Sequence, residues 1–153
     1  MADSSPHIMI VEARFYSELA DEMASGAMAA LDAAGATYER FSVPGAFEIP
    51  AAIRFAIAAN GPGEGGRKFD GYVALGCVIR GETTHYDYVC QESARALQDL
   101  ANNHLAPIGY GILTCENGDQ AWERAGQNRG NKGAAAVEAC LAMVALRHRF
   151  KLS

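Results

Sequence analysis

The sequence predicts an α/β protein in which a four-stranded parallel sheet carries helices on both faces. Three observations lead there. Four short apolar runs alternate with stretches of helical periodicity, the order expected of repeated βα units. The third run, Tyr72 to Ile79, is apolar throughout except at Gly76, as a strand buried on both faces must be. At 153 residues, with 50% hydrophobic and 20% charged, the chain can bury the core of one domain and lacks the composition of a disordered segment.

In chain order, a polar lead over 1–6 is expected to be flexible. His7 to Val11 reads as the first buried strand and Glu12 to Tyr16 as the loop at its carboxyl end. Ser17 is placed to cap a helix with an apolar face of Leu19, Met23, Ala27, Ala30, Leu31 and Ala34, ended by Gly35. Tyr38 to Val43 alternates weakly and makes the second strand. Pro44-Gly45 stops it, and Ala46-Phe47-Glu48 leads into a helix around Pro50 with Ile53 and Ile57 inward. The glycine-rich run Asn60 to Gly66 leaves a helix and enters a strand, the reverse of a phosphate loop, so a surface turn is expected.

Arg80 and Gly81 end the third strand. Thr84 and Asp87 fit the start of a helix over about 87–103, with Val89, Ser93, Leu97 and Leu100 on its inner face, which puts His85 in the first turn. Pro107 to Thr114 makes the fourth strand. Asn117 and Gln120 form a capping pair for a short helix through Trp122 and Ala125, and Gly126 to Gly130 kinks the chain. Asn131 opens a last helix with Val137, Leu141 and Val144 inward. The sum is a flavodoxin-like three-layer α/β/α arrangement, one domain over 1–153.

The bulk properties exclude several classes. Net charge is −5, and the one basic cluster, Arg147-His148-Arg149 with Lys151, ends a helix, where cations offset the dipole; nucleic-acid binding is not expected. No apolar run approaches membrane-spanning length and 1–7 lack a signal-peptide layout, so a cytoplasmic chain without a membrane partner is expected. Cys77, Cys90, Cys115 and Cys140 are far apart with no Cys-x-x-Cys, which favours buried reduced thiols over disulfides or zinc. The four histidines show no ligand spacing, and no metal is expected.

Three strand ends carry groups that a purely structural loop does not need: Phe15 after the first strand, Phe47-Glu48 after the second, and Gly81 to His85 after the third. Carboxyl ends share one edge of a parallel sheet, so these groups can converge there. Helix-start amides with the hydroxyls of Thr83 and Thr84 favour an anion, and His85 is suited to moving protons near neutral pH. Plain readings stand beside these. Phe15 fits a core or interface role as well as a stacking one, Glu48 beside Pro50 fits a helix start, and Arg124 and Lys132 fit solvated helix ends.

With those residues in view, the chain resembles the lumazine synthases. The likeness runs from about Ile10 to Leu146 and rests on four segments in order: Val-Pro-Gly-Ala-Phe-Glu-Ile-Pro (Val43 to Pro50), Val-Ile-Arg-Gly-Glu-Thr-Thr-His-Tyr-Asp-Tyr-Val (Val78 to Val89), Gly-Ile-Leu-Thr-Cys-Glu-Asn (Gly111 to Asn117), and Glu-Arg-Ala-Gly followed by Gly-Asn-Lys-Gly (Glu123 to Gly133). The resemblance implies condensation of 5-amino-6-(ribitylamino)uracil with 3,4-dihydroxy-2-butanone 4-phosphate to 6,7-dimethyl-8-ribityllumazine, with release of phosphate and water. No step changes redox state, so no cofactor is implied.

The resemblance also implies roles. Phe15 would stack on the pyrimidinedione; Phe47 and Glu48, with the backbone of Ala46, would hold the ribityl chain; Ile79 would line the ring site. Gly81, Glu82, Thr83 and Thr84 would cradle phosphate, and His85 would transfer protons. In the family the site lies between subunits of a pentamer, so Tyr110, Arg124 and Lys132 would complete a neighbour's site, within a homopentamer or an assembly of pentamers. Three positions depart from the common pattern: Tyr110 for Phe, Cys115 for Thr, and Glu82, whose charge would weaken phosphate binding unless it points outward or pairs with Arg80. A lumazine or flavin carrier and a purely structural shell subunit are the readings from other classes.

Overall fold

The computed structural model describes residues 5–152. Its strands are β1 (His7–Ala13), β2 (Thr37–Val43), β3 (Gly71–Ile79) and β4 (Ile108–Cys115). Its helices are α1 (Ser17–Ala33), α2 (Ile49–Ala58), α3 (His85–His104), α4 (Gly118–Ala125) and α5 (Lys132–Arg149). Single 3₁₀ turns occupy Ala46–Glu48 and Glu64–Gly66. The strands are all parallel in the order β2-β1-β3-β4. Of the lead expected to be flexible, residues 1–4 lie outside the described ones, while the Pro6 carbonyl accepts from the Thr37 amide at 3.0 Å.

Alternation along the central strands builds two cores. Ile8, Ile10, Val73, Leu75 and Leu113 face one side and pack with Met23, Ala27 and Leu31 of α1, Ala121 of α4 and Val137 of α5. Met9, Val11, Tyr72, Ala74 and Ile112 face the other and pack with Ile49 and Ile53 of α2 and Val89, Leu97 and Leu100 of α3. This is the expected three-layer arrangement. Two glycines set how closely its layers approach: a Cβ on Gly133 would collide with the Met23 carbonyl of α1, and one on Gly109 with the Ala136 carbonyl of α5.

Several local expectations are corrected. β1 runs on through Glu12 and Ala13, where the sequence predicts loop, because the buried Glu12 carboxylate finds cationic partners there. Ser17 does not cap α1; Tyr16 holds that position without a side-chain bond, Ala30 is half-buried and Ala34 is exposed. α3 begins at His85, two residues early. Thr84 sits at its N-cap, but the His85 amide donates to the Thr83 hydroxyl at 3.3 Å, while Asp87 is drawn to Arg80. Asn131 precedes α5 in the left-handed region (φ 46°) and makes no cap bond.

The Asn117 cap forms as expected, its side chain accepting from the Gln120 amide at 2.9 Å. Gln120 in turn accepts from the Glu116 amide at 2.8 Å. The run Asn60 to Gly66 is a turn on the surface, entering β3 at the amino edge of the sheet.

At that same amino edge His7 is buried, with Nδ1 2.7 Å from the Thr37 hydroxyl and Nε2 2.6 Å from Glu39. Glu39 also accepts the Glu64 amide at 2.9 Å. Among the described residues no helix is long and apolar enough to cross a membrane, and no cluster of three potential metal ligands occurs.

Candidate active site

A cleft of about 560 Å³ opens over the carboxyl ends of β1, β2 and β3. Each wall follows from how one strand ends. β1 leaves the sheet at Arg14, and the corner before α1 presents Phe15, 76% exposed, its ring edge-on to Tyr16 at 4.9 Å between centroids. β2 is stopped by Pro44-Gly45, and the 3₁₀ turn that follows buries Ala46 against the core while Phe47 and Glu48 face outward. β3 ends at Ile79, and the turn 80–84 delivers His85 to the first residue of α3. Phe15, Ala46, Phe47, Glu48, Ile79, Gly81, Thr83 and His85 all line this one cleft.

The other expected residues lie elsewhere on this chain. Glu82 and Thr84 belong to the same turn but are not among the lining residues. Tyr110 projects from the edge strand β4 over a shallow depression with Leu97 and Ala101 of α3. Arg124 is exposed on α4, donating to the Gln120 carbonyl at 3.0 Å, and Lys132 is exposed in the first turn of α5. Glu82 does not pair with Arg80. The Arg80 guanidinium is taken by Glu116 (2.9 and 3.1 Å) and Asp87 (3.2 Å) and lies 4.3 Å over the Tyr86 ring.

Sequence reading missed Tyr16, Cys77, Val78, Tyr86 and Val89, which also line the cleft. Cys77 and Val78 belong to the strand already named, and Tyr86 follows His85 on the helix, so neighbourhood alone was the available signal. Burial pushes the Cys77 thiol up to about 12, with Cys115 beside it adding to the rise. It is therefore an uncharged wall and no nucleophile. Desolvation raises the Tyr86 phenol too, with Cys90 contributing. The cleft thus joins exposed aromatic faces, one carboxylate, one imidazole and the amino end of a long helix, whose dipole favours an anion.

Fold and cleft together define a parallel α/β protein with an open crevice lined by aromatic and polar groups at its strand tips, the place where such sheets bind ligands. The comparisons with known proteins narrow this. The family model described as 6,7-dimethyl-8-ribityllumazine synthase matches residues 5–148. The chain is 58% identical over 150 residues to 6,7-dimethyl-8-ribityllumazine synthase 1 of Rhizobium meliloti, covering 97% of each chain. It is 53% identical over 146 residues to the Agrobacterium fabrum 6,7-dimethyl-8-ribityllumazine synthase, covering 95% of this chain and 97% of that one. The Bartonella tribocorum protein of the same name is 54% identical over 145 residues, covering 95% and 92%. The chain belongs to the 6,7-dimethyl-8-ribityllumazine synthase family and is an enzyme of that type, in riboflavin biosynthesis.

Proposed function

We propose that this enzyme condenses 5-amino-6-(ribitylamino)uracil with 3,4-dihydroxy-2-butanone 4-phosphate, releasing 6,7-dimethyl-8-ribityllumazine, phosphate and water. The observation that carries the reading is the convergence of Phe15, Phe47, Glu48 and His85, from three separate strand ends, on one cleft. Phe15 offers an aromatic face for the pyrimidinedione, and Ile79 lines the same cleft. Glu48 accepts hydrogen bonds from ribityl hydroxyls, and Phe47 with the Ala46 backbone covers the same chain. Gly81, Glu82, Thr83 and Thr84 run into the amino end of α3, where amides and hydroxyls suit a phosphate.

The substrate's amino group attacks the ketone and water leaves to form an imine, phosphate is then eliminated, and ring closure expels a second water. Each step moves a proton, and His85 sits beside the phosphate turn to carry it. Much of the acceleration comes from holding two reactants together, which is worth several kcal/mol of barrier. The single domain works as a cytoplasmic homopentamer, or an assembly of pentamers, in which Tyr110, Arg124 and Lys132 of one subunit close the cleft of the next. None of the three lines its own chain's cleft, which supports that arrangement.

Mixing the purified protein with both substrates and following lumazine fluorescence tests the reaction; no product above the uncatalysed rate sinks it. His85→Ala slows turnover about a hundredfold, the lower end of what a positioned proton carrier contributes, because orientation survives. An unchanged rate removes His85 from the chemistry.

A further inference from the structure

Glu12 is the one carboxylate buried among the described residues, 3% exposed, and the proposed reaction gives it nothing to do. It stands at the carboxyl end of β1, three residues before Phe15. Its oxygens accept from Arg40 of β2 through Nε at 2.6 Å and Nη2 at 2.9 Å, and from Arg14 Nη1 at 2.9 Å. Arg14 Nη2 reaches on to Asp21 of α1. Four charged side chains therefore join β1, β2, α1 and the corner between β1 and α1.

The bond to Asp21, with that to Glu12, holds the Arg14 guanidinium above its ordinary range against the opposing effect of burial. With only the carboxylate buried and both guanidinium groups partly exposed, such a cluster adds little net stability, but it fixes direction: two planar guanidinium forks meet one carboxylate in few arrangements. Phe15, the residue after Arg14, needs such a device. Its ring is 76% exposed, and its one ring partner, Tyr16, belongs to the same corner.

We infer that Glu12 is a positioning residue: by clamping Arg14 against the sheet, it sets the backbone at 14–16 and so the plane in which Phe15 meets the heterocyclic substrate. The inference rests on the stacking role proposed for Phe15. Four proteins test both together: the wild type, Glu12→Gln, Phe15→Ala and the double variant, each with KM measured for either substrate and Tm by calorimetry. Glu12→Gln keeps the volume and removes the charge. It raises KM for the pyrimidinedione roughly tenfold, as a modest misalignment does, and leaves KM for the phosphate substrate unchanged. In the double variant the change adds nothing to Phe15→Ala, since both act through one ring.

Additive effects, or equal rises in both Michaelis constants, overturn the inference. A normal pyrimidinedione KM in Glu12→Gln beside a raised one in Phe15→Ala overturns it while sparing the stacking reading. A normal constant in Phe15→Ala overturns the stacking reading itself, and this inference with it. If Glu12→Gln does not fold, Arg14→Lys replaces it; lysine keeps the charge but loses the fork, and a normal pyrimidinedione KM there is equally fatal.

Discussion

Arg80 shows how a residue of the turn proposed to hold phosphate can matter without lining the cleft. Its guanidinium binds Glu116 after β4 and Asp87 in the first turn of α3 and covers the Tyr86 ring, so it pins the turn 80–84 from both sides. These groups are exposed, and surface pairs of this kind add little stability. Arg80→Ala should therefore leave Tm nearly unchanged and raise KM for the phosphate substrate several-fold; a loss of Tm without a change in KM would make Arg80 a structural residue. Arg124→Ala should also raise chiefly the phosphate substrate's KM, through the neighbouring subunit's cleft, and a shift confined to the pyrimidinedione KM would reassign it. Phe15, Glu48 and His85 were legible because each follows a recognisable strand end. Glu12 was not, since a carboxylate after an apolar run reads as the start of a loop until Arg40, 28 residues away, is known to meet it. The pairing of Arg80 with Glu116, separated by 36 residues, was hidden for the same reason.

At the level of helices and strands, identical residue types behaved differently according to their competitors. Asn117 caps α4 because its side chain has no stronger partner, whereas the acid that would complete a cap at Thr84 is held by Arg80. Strand and helix identities followed from periodicity, and their ends shifted by one or two residues where ion pairs or hydroxyls intervened. Glycine spacing between layers was not legible, because nothing local marks Gly133 as facing a carbonyl of α1. Gly133→Ala should cost about 1–3 kcal/mol, the usual penalty for overfilling a packed contact. Thermal melts check this, and an unchanged Tm would mean that α1 and α5 separate freely.

For the molecule as a whole, the parallel sheet and its two cores were readable from the alternation of strands and helices. What one chain's pattern leaves out is the cationic wall proposed to come from a neighbouring subunit. Light scattering should report five subunits or a multiple of five, and a monomer would remove the proposed neighbour roles of Arg124 and Lys132. The opposite end of the sheet supplies a pH dependence. Burial pushes the Glu39 carboxyl up, but hydrogen bonds from His7 and the Glu64 amide outweigh it, and the net result lies below the ordinary 4.5. A depressed value means that the folded state releases its proton more readily than the unfolded chain. The stabilisation is thus complete above that ordinary value and fades as pH falls through the folded one. Tm of the wild type should drop on acidification below pH about 4.5, and Glu39→Gln should drop less steeply; parallel curves would discount the His7 pair.

Trp122 is the sole tryptophan of the sequence and sits 39% exposed on α4, two residues from Arg124. Nature has thereby left an optical probe beside the contact on which the quaternary proposal depends. Indole emission reddens when water reaches the ring, so serial dilution in a fluorimeter would follow dissociation of the ring of subunits without any label. A spectrum that stays fixed while scattering mass falls would place the seam between subunits away from this helix.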